Sequence, residues 1–118
     1  MKSPVWKIMV TYLLVLFLLS VSSDAFSQIT IKSFNAGWNK SNAVEWLNKL
    51  KDVKTISYID VAKDVKAQKK YKIAAVPTII IFKDGEEVAR FQADLSFTMV
   101  ATKEEVQEEI DNQLMSDF

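Results

Sequence analysis

The chain has 118 residues, with 15 Lys and Arg against 15 Asp and Glu, and it contains neither cysteine nor histidine. This length fits one domain, and a hydrophobic fraction of 49% is too high for a disordered tail. The missing cysteines exclude a disulfide, a thiolate zinc site and a dithiol redox centre within the chain. The missing histidine removes the commonest general base and metal ligand. The balanced net charge lacks the overall positive excess that is typical of nucleic-acid-binding domains. We therefore expect no catalytic residue, no metal site, no cofactor and no nucleic-acid partner.

Residues 1–27 contain, in order, the segments that are typical of a secretory signal peptide. A short basic start with Lys2 and Lys7 precedes an apolar core from Ile8 to Leu19, and Ala25-Phe26-Ser27 places small residues where a signal peptidase reads. The apolar run is shorter than the roughly 20 residues of a spanning helix, so a retained membrane anchor is the weaker alternative. We expect cleavage after Ser27, export to the periplasm or the medium, and a mature domain over 28–118 without a stable membrane span.

The first half of the mature chain predicts two strands and two helices. Alternation over 28–34 indicates a strand. A helix is expected next, because Asn42 and Glu45 fit a capping box and four apolar residues then recur at helical spacing: Ala43, Trp46, Leu47 and Leu50. A second strand is predicted over 55–61, and Asp64 is expected to cap a short helix that ends near Tyr71.

The second half predicts a hairpin and a final helix. The apolar run 78–82 is typical of a strand covered on both faces, and Asp84-Gly85 predicts a tight turn into a strand at 87–92. Residues 94–101 are interpreted as a loop. Thr102 and Glu105 form a capping box before an apolar stripe of Val106, Ile110 and Leu114. The resulting order, β-α-β-α-β-β-α, requires a right-handed crossover with parallel pairing and adds an antiparallel edge.

This order and three local motifs resemble the thioredoxin family. Residues 31–38, Ile-Lys-Ser-Phe-Asn-Ala-Gly-Trp, are similar to the strand that leads into the thioredoxin active site. Residues 75–86, Ala-Val-Pro-Thr-Ile-Ile-Ile-Phe-Lys-Asp-Gly-Glu, are similar to the family's proline-threonine strand and hairpin, with Tyr71-Lys72-Ile73 just before them. The resemblance runs from Ile29 to about Leu114. It implies a thioredoxin-like α/β fold with a central mixed sheet of about four strands and flanking helices.

The residues that carry the family's chemistry are replaced. Where the family has W-C-x-x-C, this chain has Trp38-Asn39-Lys40-Ser41-Asn42, so both cysteine positions are asparagine. Ser33 stands where the family usually has a buried acid, and Ile56 aligns with a common lysine. Thiol–disulfide exchange requires a thiolate, which an asparagine amide cannot replace. The chain is therefore identified as a redox-inactive member and not as an enzyme.

The resemblance also implies a binding site at one end of the sheet, and the candidate residues are Trp38, Asn39, Asn42, Val76 and Pro77. In the family the proline is cis and its turn exposes a backbone edge that receives an extended peptide. We accordingly expect a cis bond before Pro77, unpaired backbone groups at Val76, and a protein or extended peptide as partner. Asn42 is expected to cap the helix, whereas Asn39 precedes the cap and is expected to face solvent. Trp38 is interpreted either as an exposed contact or as a core residue.

Other interpretations stay open. The chain could be a structural accessory domain of a secreted or surface assembly, or a non-catalytic partner subunit of a redox enzyme. The Asn39-Lys40-Ser41 sequon matters only if the source glycosylates exported proteins. Charge runs on the last two helices are typical of solvated faces, although an acidic partner for the lysines is a second interpretation. The lysines are Lys63, Lys66, Lys69, Lys70 and Lys72, and the acids are Glu104, Glu105, Glu108, Glu109 and Asp111.

Overall fold

The computed structural model describes residues 27–116, so the predicted signal sequence lies, except for its last residue, outside the described residues. The strands are β1 (Ile29–Asn35), β2 (Thr55–Asp60), β3 (Thr78–Lys83) and β4 (Glu86–Gln92). The helices are α1 (Val65–Lys70) and α2 (Lys103–Met115), and two 3-10 helices, Gly37–Asn42 and Leu47–Lys49, lie between β1 and β2. Over 27–116 no helix has the length and hydropathy that a bilayer span requires.

The four strands form one mixed sheet in the order β2-β1-β3-β4. β1 pairs in parallel with β2, with Ile31 opposite Ile56, and antiparallel with β3, with Ile31 opposite Ile81. β4 pairs antiparallel with β3. The predicted α/β fold, with a mixed sheet of four strands and flanking helices, is therefore confirmed.

The tight hairpin between β3 and β4 follows from its two turn residues. Asp84 and Gly85 have φ angles of 52° and 88°. Two consecutive positive φ angles define the type I′ turn, whose twist matches that of the flanking strands and which Asp-Gly adopts readily. Further along, Ile81 pairs with Ala89 and Phe82 with Glu87, so Val88 is the extra residue of a bulge.

Each face of the sheet carries its own apolar cluster. The cluster under α2 contains the fully buried Val106 and Ile110, so the predicted stripe of this helix does face the core. Its other buried members are Ile29, Ile31, Leu47, Ile79 and Ile81. The cluster on the other face consists of Phe34, Ala36, Val61, Ile73, Val76, Ile80 and Phe82. Both predicted caps also form, since Asp64 accepts from the Ala67 N–H and Thr102 from the Glu105 N–H.

The prediction of a helix after Asn42 is wrong. Ala43 is extended, with φ −61° and ψ 144°, and the single turn Leu47–Lys49 is all that forms. Leu47 is nevertheless fully buried, and Trp46 packs against the same cluster. The end of the segment is held by Gln107 of α2, whose side chain accepts from the Lys51 N–H at 2.7 Å and donates to the Lys51 carbonyl at 3.2 Å. Packing on the sheet and on α2 has overridden a short helical pattern, which is marginal by itself.

Candidate functional site

Three connections meet at the end of the sheet where β1 finishes. They are the turn 36–42 that follows β1, the segment 73–77 that precedes β3, and the loop 93–99 that follows β4. Asn39, in the first connection, bonds to the carbonyl of Val76 in the second and of Phe97 in the third. In open α/β sheets this end, beyond the carboxyl ends of parallel strands, is where ligands usually bind.

Asn39 is the centre of this junction and is only 3% exposed. Its Nδ2 donates to Asn35 Oδ1 at 3.0 Å, to the Phe97 carbonyl at 3.1 Å and to the Val76 carbonyl at 3.4 Å. Two amide hydrogens thus serve three acceptors from three segments. The prediction that Asn39 faces solvent is wrong, because the polar groups that satisfy it come from distant parts of the chain.

Asn42 does not act as a helix cap. It is the last residue of the 3-10 helix Gly37–Asn42, and its Nδ2 donates to Asn39 Oδ1 at 2.8 Å. Asn35 completes the group, since its Nδ2 donates to the Asn39 carbonyl at 3.2 Å. We call Asn35, Asn39 and Asn42 the asparagine network. Sequence reasoning missed Asn35, and the available signal was three asparagines within eight residues at a predicted strand end.

The loop after β4 is a folded unit built on one carboxylate. Asp94 Oδ1 accepts from the Ser96 hydroxyl at 2.7 Å, the Ser96 N–H at 2.9 Å and the Thr98 N–H at 3.1 Å. These bonds, with that from the Ser96 hydroxyl foremost, hold the pKa of Asp94 below its ordinary value. A bridge between Ala93 and Met99 closes the loop. The predicted loop is thereby an ordered arm that carries Phe97 onto the site.

Trp38 is exposed, so its interpretation as a core residue is wrong. Its side chain is 65% exposed and meets the Phe97 ring edge to face, with 5.1 Å between ring centroids. Between these two rings and the segment 73–76 lies a groove of about 190 Å³. The remaining lining residues are Ala36, Val61, Ala62 and Gln68. The candidate site is therefore a small, mostly apolar groove with an aromatic wall.

The turn before β3 leaves fewer backbone groups unpaired than the sequence predicted. The Val76–Pro77 bond is cis, but Pro77 is fully buried and Val76 is 6% exposed. The expectation that both backbone groups of Val76 are unpaired is wrong for the carbonyl, which accepts from Asn39. The Val76 N–H donates to no group of the described chain, and Val76 lines the groove.

The asparagine network and the groove offer a partner hydrogen bonds and apolar contact. The asparagine network consists of amides and carbonyls, so it supplies neither a nucleophile nor a proton-transfer group. Within residues 27–116 no group of three or more acidic side chains is arranged to hold a metal ion.

Comparison of the sequence with known proteins agrees with the fold described above. The sequence profile of the thioredoxin family matches residues 29–112. Thioredoxin Y1 of Arabidopsis thaliana chloroplasts is 47% identical over 47 residues, which are 40% of this chain and 27% of that protein, so the match spans about a quarter of the relative's length.

Two solved thioredoxins have the same fold. The thioredoxin of Schistosoma mansoni is 26% identical with a TM-score of 0.55, over 80% of this chain and 85% of its own. A mutant thioredoxin from Halobacterium salinarum superposes with a TM-score of 0.59 at 22% identity, over 74% of this chain and 75% of its own. The chain belongs to the thioredoxin family, as a member that lacks both cysteines and is hence redox-inactive.

Proposed function

We propose that this protein is an exported binding domain that holds an extended segment of a partner protein in the groove between Trp38 and Val76. The observation that carries the proposal is the burial of Asn39 at the position of the family's first cysteine. There it bonds to the end of β1 and to the other two connections, while its neighbour Trp38 stays exposed beside an apolar groove. The position that would have supplied chemistry instead stabilises the walls of the groove.

The groove suits one apolar side chain and an extended backbone. Its volume of about 190 Å³ lies below the roughly 300–1,000 Å³ typical of pockets for small-molecule ligands. Trp38 and Phe97 offer an exposed aromatic surface, and aromatic anchors carry much of the energy of protein interfaces. The unbonded Val76 N–H can donate to a carbonyl of the partner, as in strand addition.

The test is a pair of matched aromatic truncations. Trp38 and Tyr58 are each 65% exposed, but Tyr58 lies on β2, outside the groove lining. A partner is first identified by cross-linking to the wild-type protein and is then purified. In titration calorimetry with this partner, Trp38→Ala should weaken binding by about 2 kcal/mol or more. Tyr58→Ala should leave the affinity unchanged, and both variants should stay folded. Equal losses, or a loss at Tyr58 alone, would refute the groove as the site.

The absence of redox chemistry is tested separately. The purified protein should not accelerate the reduction of a protein disulfide by dithiothreitol, because it has no thiolate to attack with. A measurable rate enhancement would contradict the assignment. A stable partner that carries a reactive dithiol would instead favour a non-catalytic subunit of a redox enzyme.

Export is supported by the basic start, the apolar core from Ile8 to Leu19 and the small residues before Gln28. Intact-mass measurement of the exported protein should give a chain that begins at Gln28. Full-length protein embedded in the membrane fraction would contradict export.

A further inference from the structure

A surface rich in lysine surrounds α1, and its lysines form no ion pair with the acidic residues of the same segment. Its five exposed lysines form no ion pair within residues 27–116, and they are Lys63, Lys66, Lys69, Lys70 and Lys72. Lys70 Nζ lies 5.2 Å from the centroid of the Tyr71 ring, a favourable contact that keeps the positive charge of this lysine. The carboxylates of Asp60 and Asp64 accept the N–H groups of Ala62 and Ala67, and neither forms an ion pair with these lysines.

This basic surface adjoins the groove. Ala62, Gln68 and Ile73 line the groove, and their chain neighbours Lys63, Lys69 and Lys72 are exposed. Each of these three lysines is therefore one residue away from the groove lining, although none of them lines it. A segment that leaves the groove across α1 passes near these lysines.

We propose that the segment bound in the groove is acidic: an extended peptide with one bulky apolar side chain between Trp38 and Val76, and Asp or Glu residues over Lys63, Lys69 and Lys72. This inference rests on the proposed function and adds the charge of the partner to it. The unpaired lysines supply the charge complementarity, which steers association and selects among partners. The apolar groove favours a peptide over a polynucleotide, which would use the lysines and leave the groove empty.

The experiment uses three synthetic ten-residue peptides with the same single central Phe anchor and with Glu, Gln or Lys in all flanking positions. Binding to the purified protein is measured by calorimetry at 50 mM and 500 mM salt. We expect the Glu peptide to bind about tenfold more tightly than the Gln peptide at 50 mM salt, on the basis of three exposed charge pairs. The difference should largely vanish at 500 mM salt, because exposed charges are screened.

Matched lysine variants locate the charge effect. Lys69→Gln with Lys72→Gln should weaken binding of the Glu peptide about fivefold and leave the Gln peptide unchanged. Lys49→Gln with Lys51→Gln removes two other exposed lysines, which lie beside α2 and not next to residues of the groove lining, and should change neither affinity.

The outcomes separate this inference from the function on which it rests. Equal binding of the Glu and Gln peptides, both lost in Trp38→Ala, overturns the acidic partner and leaves the groove intact. Binding of the Glu peptide that survives Trp38→Ala overturns both, because the lysines then act without the groove. Failure of all three peptides to bind also overturns both. Equal, salt-sensitive binding of a single-stranded oligonucleotide would identify a general polyanion surface and overturn the inference.

Discussion

The asparagine network makes a quantitative prediction about stability. In the variant Asn39→Ala, the side-chain bonds to Asn35, Phe97 and Asn42 are lost, together with the longer bond to the Val76 carbonyl. The junction of the three connections then has no common partner. We expect a destabilised domain whose loop 93–99 moves away from Trp38.

The magnitude follows from the number and burial of these bonds. Three bonds lie between 2.8 and 3.1 Å, and the one to Val76, at 3.4 Å, is long enough to count for little. Each intramolecular bond contributes about 0.5–1.5 kcal/mol net, which gives a loss of about 3 kcal/mol. For a domain of this size that corresponds to a fall of roughly 12–24 °C in Tm.

The assay is urea unfolding followed by far-ultraviolet circular dichroism. Asn42→Ala is the matched control, because it removes a single bond of the same network, and it should cost about 1 kcal/mol. The double variant should cost less than the sum of the two single variants, since both remove the bond between Asn39 and Asn42.

Two results would refute the reasoning. A loss below about 0.5 kcal/mol in Asn39→Ala would mean that water replaces the side chain at no cost and that the network does not hold the junction. Strict additivity of Asn39→Ala and Asn42→Ala would mean that the two asparagines act independently. Either result would remove the structural reason for asparagine at the first cysteine position.

Two further predictions concern the turns. Gly85→Ala should cost about 1–2 kcal/mol in the same unfolding assay, because its φ of 88° disfavours any side chain although the added methyl group would meet no atom within 4 Å. Gly37→Ala, which meets only Asp60 Oδ2 at 3.3 Å and needs no positive φ, should cost less, and the reverse order would contradict the assigned turn. The loop that Asp94 holds should open in acid. Folding lowers the pKa of the Asp94 carboxyl below its ordinary value of 3.8. The carboxylate therefore stabilises the loop above about pH 4, and this stabilisation is lost as the pH falls through the pKa of the folded protein. Hydrogen-exchange protection of the Ser96 and Thr98 amides should fall over that range and be absent at every pH in Asp94→Ala, whereas protection retained at low pH would show that the carboxylate does not hold the loop.

Much of the fold was predictable because its signals are local. The continuous apolar run at 78–82 identified β3, and the pair Asp84-Gly85 identified the hairpin, since few residues accept two successive positive φ angles. The caps at Asp64 and Thr102 were also correct, because each depends on a backbone N–H three residues away.

The errors arose where distant segments decide the outcome. The spacing of apolar residues after Asn42 favoured a helix, but Leu47 reaches the core from a single turn and Gln107 holds the backbone at Lys51 from 56 residues away. The prediction that Asn39 faces solvent rested on its place before the expected helix cap at Asn42. Its actual partners, the carbonyls of Val76 and Phe97, lie 37 and 58 residues along the chain.

The sequence by itself therefore determined the family, the strands, the hairpin and the loss of thiol chemistry, because these depend on residue identity and on backbone preferences over a few residues. The tertiary structure decided which polar side chains are buried and which aromatic ring is exposed. A buried amide is stable only where other segments supply its hydrogen-bond partners. Those partners are brought to Asn39 by the pairing of β1 with β3 and of β3 with β4, which no local pattern around Asn39 records.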